Sequence, residues 1–165
     1  MVAQSRSSML SAGILAYRKR AGRLEVLLVH PGGPYWRNKD NGAWSIPKGE
    51  MDATDDPEQA ARREFAEELG PAASIGPLKT VGEVRQRGGK RVIAFVGEGK
   101  FDPTALVSNT FEIEWPPRSG RRQIFPEVDR AEWFDIESAR TRLIAAQVEL
   151  LDRVLAIAAV NSAEG

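Results

Sequence analysis

The sequence predicts an α+β fold in which a mixed β-sheet is layered between helices. Three observations carry this. Strand signals come early, one well-capped helix interrupts them, and an amphipathic segment closes the chain. The 165 residues suit one domain, spanning 1–165, that buries roughly 70% of the unfolded chain's surface.

Ser11 to Arg18 reads as a strand, residues 19–23 as a turn, and Leu24 to Val29 as a second strand with a near-continuous apolar run. The two are expected to pair. His30-Pro-Gly-Gly-Pro34 breaks regular structure, and Tyr35 to Gly42 reads as a polar loop before a short strand at Ala43 to Ile46. His30 reads as a strand-end residue rather than a ligand. A helix follows: Asp56 can cap it, Pro57 suits its first position, Gln59 completes a capping box, and Gly70-Pro71 ends it.

Leu78 to Gln86 and Arg91 to Glu98 read as a hairpin around Gly88-Gly89-Lys90, and Thr110 to Trp115 as another strand. The stretch PPRSGRRQIFPEVDRAE reads as a loop in which Arg118, Arg121 and Arg122 form a basic turn between prolines. Ala131 to Phe134 is the last strand and Ile136 to Leu143 a helical turn or two. Ala145 to Val160 is the closing helix, with Val148, Leu151, Leu155 and Ala158 or Ala159 facing inward.

The formal charge is zero, with 23 basic and 23 acidic residues, so nothing advertises duplex nucleic acid or an anionic membrane as a partner. Without cysteine there are no disulfides, thiol nucleophiles or thiolate metal sites, which fits a cytoplasmic location. The opening MVAQSRSSMLSAGILAY reads as a mature first strand rather than a signal peptide, because Ser and Gly interrupt its short apolar run. The oligomeric state is left open, a homodimer included.

Chemistry gathers on the capped helix. At 3.6 residues per turn Ala61, Phe65 and Leu69 form the buried line, and Glu64, Glu67 and Glu68 share the neighbouring stripe. Like charges so crowded call for a cation. A hard divalent ion, Mg²⁺ or Mn²⁺, suits oxygen ligands and phosphate substrates, whereas zinc or copper would recruit His or Cys, and the chain has one His and no Cys.

The spacing Gly49, five residues, Asp55, seven residues, then Arg63-Glu64-Phe65-Ala66-Glu67-Glu68-Leu69-Gly70 resembles the Nudix box. Asp55 stands where the family has glutamate and Pro71 where it has an aliphatic residue. The resemblance implies a Nudix-like α/β/α sandwich and a metal-dependent hydrolase that cleaves a phosphoanhydride in a nucleoside diphosphate linked to another group. It implies metal ligation by Glu64, Glu67 and Glu68, with the Lys48 carbonyl as a further ligand, and an Asp55–Arg63 pair bracing loop on helix. In some members a late loop glutamate reaches the metals or acts as base, which makes Glu127 the candidate here, with Glu67 second.

A phosphoanhydride needs its charge neutralised, a positioned water and a base. Lys48, Arg121 and Arg122 are candidate phosphate contacts, and Trp36 and Trp44 candidate stacking partners for a nucleobase. Glu127 directly follows the arginine turn, so one mobile loop is expected to deliver both. Subfamily marks that the resemblance would imply are missing: Arg85, Gln86 and Arg87 stand near the proline of ADP-ribose hydrolases, Gly88 or Gly89 replaces the tyrosine of dinucleoside polyphosphate hydrolases, and the NADH and coenzyme A pyrophosphatase marks are not evident. A nucleoside triphosphate or dinucleoside polyphosphate is the default substrate. Two alternatives stand beside it: a Nudix domain that binds nucleotide to regulate without turnover, and a scaffold whose acidic helix binds no metal.

Overall fold

The strand Leu10–Arg20 (β1) alternates its side chains between two cores, and the molecule is built outward from it. Ala12, Ile14 and Ala16 face one side and Leu15 and Tyr17 the other, all buried. A strand covered on both faces reads as an almost unbroken apolar run for this reason. A computed structural model describes residues 10–164, so the expectation for the opening segment lies, for residues 1–9, outside the described residues.

One edge of β1 pairs in parallel with Arg91–Lys100 (β6), from Leu10 opposite Arg91 to Tyr17 opposite Glu98. The other edge is shared. Its C-terminal half pairs antiparallel with Arg23–Pro31 (β2), and Ser11 to Gly13 pair with Lys48–Glu50 (β3). Val128–Asp135 (β9) continues the sheet beyond β2, while Ser74–Ile75 (β4) and Lys79–Arg85 (β5) line up along the far edge of β6. The result is a mixed seven-stranded sheet. A separate two-stranded ribbon, Thr110–Glu114 (β7) with Arg122–Pro126 (β8), stands beside it.

The helix Pro57–Leu69 (α1) covers one face with Ala60, Ala61, Phe65 and Leu69, each of the two large side chains contributing roughly 2 kcal/mol by burial. Its ends are the predicted ones. Asp56 accepts from the Gln59 N–H at 3.0 Å, and Gly70, at φ 96°, donates to the Ala66 carbonyl. Ile136–Arg142 (α2) and Glu149–Glu164 (α3) cover the opposite face. The architecture is the predicted α/β/α sandwich. Among the described residues no helix is long and apolar enough to cross a membrane.

Several predictions of local structure are corrected. The short strand expected at 43–46 is two isolated bridges, at Trp44 and Ser45, and the strand itself falls on Lys48–Glu50. The arginine loop is the β7–β8 hairpin, although its prolines predict irregular chain; Pro126 fits because it ends an edge strand. In the closing helix Leu150, Leu151, Val154 and Ala158 face inward, while Leu155 and Ala159 are exposed, because a short 3₁₀ turn at Ala145–Gln147 delays the helix start and shifts its phase.

Candidate active site

A cavity of about 290 Å³ opens where β2, β3, α1 and the start of β9 meet. Lys48, Glu68 and Glu127 form its charged part, Val29, Pro31, Ile46 and Ile144 its apolar walls, and Trp36 and Gln86 also line it. A wider depression of about 540 Å³ around Arg18, Arg20, Asp102 and Glu132 includes no residue of α1, so the acids of that helix and not volume locate the site.

β3 brings Lys48 to the acids on α1. Glu68 accepts the Lys48 backbone N–H through Oε1 at 3.3 Å. Burial pushes the Glu68 carboxyl up to about 8, with Glu64 and Glu127 adding to the rise and the Lys48 N–H and ammonium opposing it. The Lys48 amine is lowered by burial, with Lys90 adding to that and Glu68 and Glu50 working against it. Glu64 is raised by burial and by Glu67, whose side chain hydrogen-bonds it. Gly49 makes the contact possible, since a Cβ there would overlap the Glu64 carboxyl.

Glu127 is reached from a fixed backbone. Its N–H donates to the Asn109 carbonyl at 2.8 Å, and its own carbonyl accepts from the Gly32 N–H at 2.9 Å. This replaces the expected swinging loop. Arg121 and Arg122 do not reach the cavity: Arg122 lies five positions before Glu127 on extended chain, roughly 16 Å away, and pairs with Glu112 at 2.6 Å. Trp44 is also corrected. It is buried at 1% exposure, with its ring edge-on to His30 and Phe134 and Nε1 donating to Asp40, and so has no face to offer a base. Trp36, 38% exposed, does line the cavity.

The Asp55–Arg63 brace is absent. Asp55 accepts from the Asp52 N–H at 2.9 Å, closing its own turn, while Arg63 reaches Glu64 at 3.4 Å and the Glu50 carbonyl at 3.5 Å. An aspartate one methylene short of the family's glutamate serves the loop, and the arginine turns to the acid stripe instead.

Among the described residues no three histidine, aspartate or glutamate side chains are grouped closely enough to hold a metal ion as they stand. The donors nonetheless suit a hard divalent ion. They are all oxygens, and burial and mutual repulsion raise the Glu64 and Glu68 carboxyls, a penalty on their charged forms that a cation among them would relieve.

Sequence reasoning gave no role to Gln147, buried at 0% exposure. It donates to Ser45 and Gln86 and accepts from Ile46 N–H. The one signal was a lone amide in the apolar run IAAQVELL.

The model of the NUDIX domain matches residues 8–154. An RNA pyrophosphohydrolase of Rhodospirillum rubrum is 26% identical over 151 residues, 89% of this chain and 90% of that protein. An octanoyltransferase of Myxococcus xanthus is 29% identical over 135 residues, 82% of this chain, which spans only 33% of that protein's length. The crystal structure of a C. elegans Ap4A hydrolase binary complex superposes with a TM-score of 0.58 at 25% identity, covering 90% of this chain and 98% of that one. With the family matched over most of its length and the fold shared, the chain belongs to the Nudix hydrolase family.

Proposed function

We propose that the chain, as one domain acting in the cytoplasm, is a metal-dependent pyrophosphohydrolase that cleaves a phosphoanhydride in a nucleotide. The observation that carries this is the convergence of Lys48, Glu68 and Glu127 on one cavity, with the Glu64–Glu67 acid pair on the same helix stripe. Glu64, Glu67 and Glu68 hold the ion, Mg²⁺ or Mn²⁺, with the Lys48 carbonyl as a further oxygen. Once bound, it neutralises phosphate charge and makes water more acidic.

The protein's own groups do the rest. Lys48 offers its ammonium to a phosphate oxygen from a position already enclosed. Glu127, exposed at the mouth and outside the helix stripe, is the base that takes a proton from water, and Glu67 is second in line. Arg63 steadies Glu64. Trp36 offers a half-exposed ring to the base of the substrate.

The substrate is a nucleoside triphosphate or a dinucleoside polyphosphate, and only the polyphosphate chain, not the base, is taken from the likeness to Ap4A hydrolase. The test is a panel of nucleotides and nucleotide conjugates with Mg²⁺ or Mn²⁺, scored by product masses. Cleavage between phosphates supports the reading. Tight binding with no turnover of any compound would make this a nucleotide-sensing module instead.

A further inference from the structure

The amide of Gln147 is fixed from one end. Its Oε1 accepts from the Ile46 N–H at 2.9 Å, and a backbone N–H can only donate, so Nε2 must face the other way. There it donates to Ser45 Oγ at 3.1 Å and to Gln86 at 3.0 Å. The Gln86 atom at that contact is therefore Oε1. Gln86 spends its acceptor inside the protein and keeps the two N–H groups of Nε2.

Among the described residues those N–H groups have no partner, and no buried side-chain nitrogen or oxygen lacks one. The Gln86 nitrogen is thus open to solvent, on a residue that lines the cavity. Ser45 has no donor left to offer, since its one hydroxyl hydrogen goes to the Ile46 carbonyl while its oxygen accepts from Gln147. Lys48, Glu68 and Glu127 act on one another and mark the phosphate part. The rest of the lining is apolar or aromatic, as suits a flat ring, and a neutral amide donor beside it matches a neutral acceptor better than a phosphate.

We propose that Gln86, oriented by Gln147, determines specificity by donating to a carbonyl oxygen of the substrate's nucleobase, favouring keto bases over amino bases. This rests on the cavity being a nucleotide site and adds which edge of the base it reads. A donor facing an exocyclic amine leaves two donors opposed and unsatisfied, which is why a site built for one acceptor rejects the other base.

Matched pairs test it, because uracil and cytosine, or hypoxanthine and adenine, differ chiefly by one oxo-to-amino exchange. Affinities of the non-hydrolysable triphosphates of these four bases are measured by calorimetry with Mg²⁺. Wild type is expected to favour uridine over cytidine and inosine over adenosine by about tenfold or more. Gln86→Leu should bring both ratios close to one, and Gln86→Glu should invert them.

Gln147→Glu is the sharper variant. It still accepts from Ile46 but has no N–H for Gln86, whose amide then flips and shows its oxygen to the cavity, so the preference inverts from a residue that never touches the base. If that variant fails to fold, the two Gln86 variants decide. Equal affinities within the pairs, an adenine preference in wild type, or ratios unchanged in Gln86→Leu would each overturn the proposal, as would failure to bind any of the four.

Hydrolysis is read separately. Base-selective binding without turnover leaves this inference standing and removes the catalytic reading, and turnover without base preference does the reverse.

Discussion

Gly49 lies so close against Glu64 that any side chain on the glycine would occupy the space of the Glu64 carboxyl. Its backbone is ordinary β3, so the need for glycine is steric and specific to that acid. Gly49→Ala is expected to displace Glu64, weaken Mn²⁺ binding in a calorimetric titration and lower kcat by about tenfold or more. Thermal melting should fall by only a few degrees, roughly, because the displaced group is a side-chain tip. A large loss of stability with normal metal affinity would point to a backbone role.

Metal-free stability should depend on pH in a direction opposite to that of most carboxylates. Glu68 is raised to about 8 in the folded protein, chiefly by burial, against roughly 4.3 for an unfolded glutamate. Between those values the folded state holds the extra proton, so stability falls as pH climbs from about 5 to about 8. Glu68→Gln should flatten that part of the curve and raise metal-free stability at the alkaline end, while abolishing turnover. Urea melts across the range in a chelator check it.

Glu127 and the hairpin arginines should separate cleanly. Glu127→Gln is expected to lower kcat by about 10² to 10⁴ with little change in KM, as for loss of a general base. Arg121→Ala and Arg122→Ala should leave both constants within about twofold, since neither side chain lines the cavity. A raised KM in either arginine variant would require the hairpin to fold over the site. Steady-state kinetics at saturating metal is sufficient.

Arg63 and Asp55 likewise have unlinked roles. Arg63→Ala removes the contact to Glu64 and should cost rate, whereas Asp55→Ala removes one exposed turn bond and should cost no more than about 1 kcal/mol of stability. A double-mutant cycle on stability is expected to show coupling close to zero. Strong coupling would restore the brace that the shorter aspartate leaves unmade.

How much of this was legible depended on whether a signal was local. The helix from Asp56 to Gly70 was read to the residue because its cap, its Pro57 and its terminal glycine are all near neighbours in sequence. The same holds for Glu64, Glu67 and Glu68, placed together by helical period alone. Trp44 is ambiguous in the sequence because an indole just after a glycine-containing loop looks the same whether it plugs a core or faces a ligand; His30, Phe134 and Asp40 decide it, and two of them are distant or across the sheet. The arginine turn misled for a related reason. Its prolines hid an edge ribbon, and ribbon geometry carries Arg121 and Arg122 away from Glu127 instead of folding them toward it. The lone amide of Gln147 marks it in the sequence without giving it a role, because its three partners come from positions 45, 46 and 86.

The attachment of β3 to β1 sets a clock for the site. Ile14 and Met51 donate to the Pro47 and Leu10 carbonyls, and β1 from Ala12 to Ala16 has its large side chains wholly out of solvent. Isotope exchange at these amides should therefore wait for opening of the whole sheet, whereas amides of the exposed β7–β8 ribbon should exchange through small local openings. Glu127 hangs from the fast side and Glu68 from the slow side. A nucleotide bridging the two would leave the already slow amides almost unchanged, so the mass shift that reports binding should appear mainly in the ribbon around Asn109 and Glu127.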